Sequence, residues 1–91
     1  MDYSEEDWIK ATILYNLRRK RKIGESHTPF DTLKKGFPPN LKGDVDKISK
    51  ILIKEKLLIP KPTSYGLQVS LNKERVVEIE EFIKRILKYE F

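Results

Sequence analysis

Apolar and polar residues recur along this chain with two different periods, and the switches between them mark out its elements. From Ser4 to about Arg19 the apolar positions return every three to four residues, the period of a helix. Trp8, Thr12 and Tyr15 make one stripe, and Ile9, Ile13 and Leu17 make its neighbour. A helix apolar over so much of its circumference is expected to be covered on two sides. Ser4 followed by Asp7 three residues later is a capping-box-like start. The run Arg18–Lys22 is wholly basic, and Gly24 is a stop signal. Glu25–His27 reads as a short strand at most, too brief for periodicity to assign.

A second helix is expected from Thr28 to Gly36. Thr28 is its cap, Pro29 takes the first helical position, Phe30 and Leu33 form its apolar face, and Gly36 ends it. Phe37-Pro38-Pro39-Asn40 must then turn, because two prolines cannot continue a helix. A third helix spans about Asp44 to Lys56. Val45, Ile48, Ile51 and Leu52 gather on one side, Asp46, Lys47, Lys50 and Lys54 on the other, with Ile53 at the boundary. The small Ser49 is grouped with the polar side.

The period then changes to two. Leu57–Lys61 reads as a strand, Pro62–Gly66 as a turn, and Leu67–Leu71 as a second strand in which Leu67, Val69 and Leu71 alternate with Gln68 and Ser70. The pair is a β-hairpin, and Pro60 and Pro62 suit an edge. Asn72 caps a last helix from Lys73 toward the C-terminus. Val76, Ile79, Ile83, Ile86 and Leu87 form its stripe, which Phe82 and Tyr89 widen. No linker or repeat interrupts the pattern, so residues 1–91 read as a single α+β domain, mostly helical.

Composition narrows the chemistry. There is no cysteine, which excludes disulfides, thiolate metal sites and cysteine nucleophiles. No apolar run reaches the length of a membrane span, and the acidic, polar stretch Met1–Trp8 is unlike a signal peptide. The expectation is a cytoplasmic protein with no membrane partner. His27 is the single histidine, too few for a metal cluster. The glycines at 24, 36, 43 and 66 do not form a phosphate loop. Asp44 with Asp46, and Glu78 with Glu80 and Glu81, lie on helix surfaces rather than in desolvated pairs. A non-enzyme without cofactors is expected. The net charge of +5 favours polyanionic partners.

The order helix, short strand, helix, turn, helix, hairpin, helix resembles the winged-helix fold. Thr28–Gly36 and Asp44–Lys56 carry the helix-turn-helix, and Leu57–Leu71 the wing. The stretch KPTSYGLQVSLN at 61–72 is similar to wing segments of small archaeal winged-helix proteins. The resemblance implies a DNA-binding protein, a transcriptional regulator, whose second paired helix enters the major groove while the wing touches backbone or minor groove. It implies double-stranded DNA contacts from Lys42, Lys47, Lys50 and Lys54, and wing contacts from Lys61, Thr63, Ser64 and Tyr65. The link from Gly36 to Gly43 is longer than a tight helix-turn-helix turn.

Each of these sites also has a plainer reading. The lysines of helix three could be a solvated face. Arg18, Arg19 and Arg21 in the basic run could grip phosphate or simply complement a helix dipole. Tyr65 could stack on a nucleotide or lid the hairpin. Ile79, Phe82, Ile83, Ile86 and Tyr89, with Phe91 beyond them, are expected to pair two copies into a homodimer. The competing function is a winged-helix protein-interaction module in a larger assembly, and a third is RNA binding through the basic run.

Overall fold

The structure, a computed structural model, describes residues 4–89. It is an α+β fold with three helices and a three-stranded antiparallel sheet, a topology compatible with a winged helix. Helix α1 spans Glu5–Arg19. Its cap forms as expected: the Ser4 hydroxyl accepts from the Asp7 amide at 3.1 Å. Of its two stripes, Ile9, Ile13 and Leu17 are buried along with Ala11 and Leu14. Trp8 stays at the edge, 36% exposed, its ring meeting Phe37 edge-on at 6.1 Å. α1 is flanked by α2 and α3, the two-sided cover its pattern requires.

The expected second helix is replaced. Thr28–Pro29 form a short strand, β1, and Phe30–Lys34 a single 3-10 turn. Thr28 therefore caps nothing; it pairs with Val69 in the sheet and is nearly buried. The expected strand at Glu25–His27 is displaced to these next two residues, after an isolated parallel bridge of Ile23 to Leu71. Phe30, Leu33 and Phe37 still enter the core. The long link contains a second 3-10 turn, Pro39–Leu41, that leads directly into helix α2, Lys42–Lys54.

β2 (Leu58–Thr63) and β3 (Gly66–Leu71) form the hairpin, with a turn of two residues, Ser64 and Tyr65, tighter than the sequence suggests. The strand order is β1-β3-β2, so β2 is an edge. Pro60 and Pro62 lie two apart on it, opposite Val69 and Leu67. Counting from the turn-closing pair Thr63–Gly66, alternate residues of an antiparallel strand direct N–H groups away from the partner. Both prolines fall on that outward parity and remove no ladder bond. Leu58, Val69 and Leu71 close the sheet face against the helices.

Asn72 caps a 3-10 turn, Lys73–Arg75, before α3 begins at Val76 and runs to Leu87. The apolar stripe expected to pair two copies packs largely within the chain. Ile79 and Ile83 are 0% exposed and Ile86 is 2% exposed, all inside one molecule against α1 and the core. Phe82 is half-buried under the Arg85 guanidinium, 5.2 Å from its ring, and Tyr89 packs edge-on against Tyr15 at 4.9 Å. The buried part of the stripe finds its apolar partner within the chain, while Val77 and Tyr89 stay exposed and Val76, Phe82 and Leu87 half-buried. Phe91 lies outside the described residues.

Ser49 is also corrected. It sits on the core face of α2, 0% exposed, with a hydroxyl that meets no hydrogen-bond partner. Such an orphaned group costs on the order of 1–3 kcal/mol. Ser49→Ala removes it and raises helix propensity. The expected outcome is a gain of about 1 kcal/mol, read as a higher urea midpoint at unchanged slope. Ile83→Ala in the same assay is expected to lose about 2–5 kcal/mol.

Candidate nucleic-acid interface

Helix α2 turns one ridge fully outward. Val45, Ile48, Ser49 and Leu52 fill its core side. Diametrically opposite, Gly43, Lys47, Lys50 and Lys54 follow at steps of four, three and four, a single line on a helix of 3.6 residues per turn. All four are exposed, and Lys47 to Lys54 spans about 10 Å along the axis. Lys42 is exposed at the first turn. Ile51 and Ile53 flank the ridge half-buried. The helix-three face expected from the sequence therefore exists, and its boundary is sharper than the pattern alone requires.

The three lysines are not equivalent. Asp46 takes Lys50 at 3.0 Å through one oxygen and Lys34, from the first 3-10 turn, at 3.7 Å through the other. The hydrogen bond from Lys50 outweighs the opposing effect of burial and, with the charges of Lys50 and Lys34, holds the Asp46 carboxyl below its usual range. Asp46 thus clips α2 to the turn beside it and neutralises the middle of the ridge. Lys47 borders a shallow cleft of about 170 Å³ with Asp44, Glu5 and Glu6, so carboxylates from two helices surround it. Lys42, Lys47 and Lys54 make no ion pair among the described residues.

At the wing, Thr63 serves the turn. Its hydroxyl donates to the Gly66 carbonyl at 2.7 Å and accepts from the Tyr65 amide at 3.1 Å. This local bonding, with Gly66 at φ 113°, fixes the two-residue loop. Ser64 is exposed, and Tyr65 is 95% exposed, so it lids nothing. Lys61 is exposed on the outer side of the edge strand.

The basic run divides. The Arg18 Nε donates to Glu80 at 2.6 Å, joining α1 to α3, so Arg18 serves the fold. Arg19 lies over the Tyr15 ring at 6.0 Å. Arg21 adopts φ 57° just past the helix. The amides of Arg21 and Lys22 donate back to the carbonyls of Arg18 and Leu17, the Schellman closure. α2 ends the same way: Lys56 has φ 68°, and the amides of Lys56 and Leu57 donate to Ile53 and Leu52. Glycine is the usual residue at this position.

Both helix ends meet the base of β3. The Leu71 amide donates to the Lys22 carbonyl at 2.8 Å, and the Asn72 amide donates to the Leu57 carbonyl at 3.0 Å. Lys73 follows, its stem over Gly24. Lys22, Lys56 and Lys73 thereby join Arg21 at this end of the sheet, a grouping the linear sequence conceals. The wing tip lies at the other end of the hairpin, five residues or about 17 Å away.

Compared with known protein families, curated proteins and solved structures, the chain matches none. No helix among the described residues is long and apolar enough to cross a membrane. Among them there is also no group of three or more metal-ligating side chains.

Lys56→Gly relieves a left-handed backbone that costs a side chain roughly 1–2 kcal/mol, so chemical denaturation is expected to show a more stable protein. Asp46 contributes stability that is present above the unfolded carboxylate pKa of about 3.9 and lost as pH falls through its lower folded value. The stability gap between the wild type and Asp46→Asn is therefore expected to close in acid below that pH, measured by thermal unfolding across a pH series.

Proposed function

We propose that the protein binds duplex DNA through the outward ridge of α2 and the wing tip, and acts as a transcriptional regulator. The observation that carries this reading is the alignment of Lys47, Lys50 and Lys54 on one ridge, diametrically opposite the buried side of α2. A basic helix with a protruding loop suits a duplex, since lysines neutralise phosphates with release of counterions. The exposed Tyr65 and Ser64 extend the interface beyond the helix.

The ridge has no Arg, Asn or Gln, the side chains that best read base edges. Contacts are therefore to the backbone, and sequence preference comes from DNA shape. On this reading the protein is a binder and not a catalyst. Duplex binding is measured by fluorescence anisotropy across a salt series. Charge reversal of Lys47, Lys50 and Lys54 together is expected to weaken it and to flatten its salt slope by roughly one unit for each phosphate no longer neutralised. Asp46→Asn releases Lys50 and Lys34 and is expected to tighten it. Unchanged affinity in both variants would reject this face. Single-stranded DNA and structured RNA in the same assay separate the duplex reading from the RNA reading.

One observation favours a second reading. Asp44, Glu5 and Glu6 around Lys47 repel phosphate at the N-terminal end of the ridge. A mixed-sign surface of this kind also suits docking onto a protein of complementary charge. A stoichiometric protein complex together with no salt-sensitive duplex shift would support that alternative.

A further inference from the structure

A cleft of about 500 Å³ opens away from the α2 ridge, over the outer side of the sheet. Sites for small ligands run from roughly 300 to 1,000 Å³. Its sheet wall is set by strand parity: Leu58, Val69 and Leu71 face the core, so Ile59, Lys61 and Ser70 face the other way. Ile59 lies directly opposite Ser70. His27, one residue before β1, falls level with Ser70 on the other side when the Thr28–Val69 register is continued. The loop wall is Gly24 and Glu25, and the floor toward α3 is Asn72, Lys73 and Glu74.

Two features of this cleft are unexplained by folding. Ser70 is 1% exposed and its hydroxyl has no hydrogen-bond partner. Ser70 lies on the outer face of the middle strand, where alanine would avoid the orphaned hydroxyl. Second, four charged side chains line the cleft, Lys61 and Lys73 against Glu25 and Glu74, and none of the four is in an ion pair among the described residues. Opposite charges that share a cleft without meeting leave room for a molecule that carries both signs. Ile59 and Pro60 add an apolar wall.

We propose that this cleft binds a small zwitterion of the α-amino acid class. Its carboxylate lies toward Lys61 and Lys73, its ammonium toward Glu25 and Glu74, and Ser70 supplies a hydrogen bond at the sheet wall. Ile59 and His27 flank Ser70, and their side chains part to admit the ligand. A bound zwitterion ties the edge strand β2 to the segment before β1, and so braces the base of the wing. The site is separate from the α2 ridge, and its occupancy is read without nucleic acid.

The test is an amide proton–nitrogen NMR titration of the full chain with the common α-amino acids, in millimolar pools and then singly. The expected result is saturable shifts at His27, Ser70 and Lys73. For the amino acid that binds, the carboxylic acid lacking its amine and the amine lacking its carboxylate should each bind about tenfold more weakly, the loss of one charge-assisted bond. Lys73→Met keeps the stem over Gly24 and is expected to weaken binding by a similar factor. Ser70→Ala should weaken binding yet raise the melting temperature of the free protein, while Ser49→Ala raises it without touching affinity. No saturable shift from any pool overturns the proposal. Equal binding of a single-charge analogue, or undiminished binding by both Lys73→Met and Ser70→Ala, overturns it as well.

Discussion

The fold hangs on the last residue of β3 and the one after it. Leu71 is bonded through its amide to Lys22 and through its carbonyl to the Gly24 amide. Asn72 is bonded through its backbone amide to Leu57, and its side-chain amide donates to the Lys56 carbonyl at 2.9 Å. These four bonds gather the end of α1, the end of α2 and the start of α3 around one strand. Two Schellman closures aim the chain into this junction, and each places a basic residue where glycine is usual. Once the base is fixed, the hairpin must project from it, and α2 must turn its lysine ridge outward because its other side fills the core.

The cations then fall into two populations. Lys10, Arg18, Lys34, Lys50 and Arg75 are paired with carboxylates; Lys10 reaches Glu55 at 3.2 Å, Arg18 reaches Glu80 and Lys34 reaches Asp46, each joining two elements, while Lys50 and Arg75 pair with residues four and three positions away. Lys47, Lys54 and Lys61 are in no ion pair among the described residues and lie on exposed ridges or edges. A sequence count of positive charge merges these populations, yet a cation of the first kind would have to give up a carboxylate before it could meet a polyanion. The buried hydroxyls divide similarly. Ser49 is enclosed in the core, whereas Ser70 lies at the wall of a cleft.

Where an element could be read from the sequence, its signal was local and periodic. α1, α2 and the hairpin carry apolar spacing that only one face can satisfy, and Ser4 caps its helix as its spacing with Asp7 implies. Thr28–Gly36 misled because threonine before proline is a genuine helix start in isolation. What overrides it is the pairing of Thr28 with Val69, a partner some forty residues along the chain. The α3 stripe misled for a related reason. Ile79, Ile83 and Ile86 demand an apolar partner, and periodicity does not say whether that partner is α1 of the same molecule or a second copy. Arg18 belongs to the basic run along the chain, but Glu80, sixty-two residues on, takes up its guanidinium, whereas the Thr63 hydroxyl is taken up within its own turn by Gly66 and Tyr65.

Spacing along single elements was enough to set the helical and strand periods, the edge character of β2 through Pro60 and Pro62, and the lysine face of α2. The assembled fold was needed to settle which lysines are neutralised, where the basic run sits relative to the wing, and that a cleft with an orphaned Ser70 exists. Those properties depend on distances between residues far apart in the chain, and such distances are set only when the helix ends converge on Leu71 and Asn72.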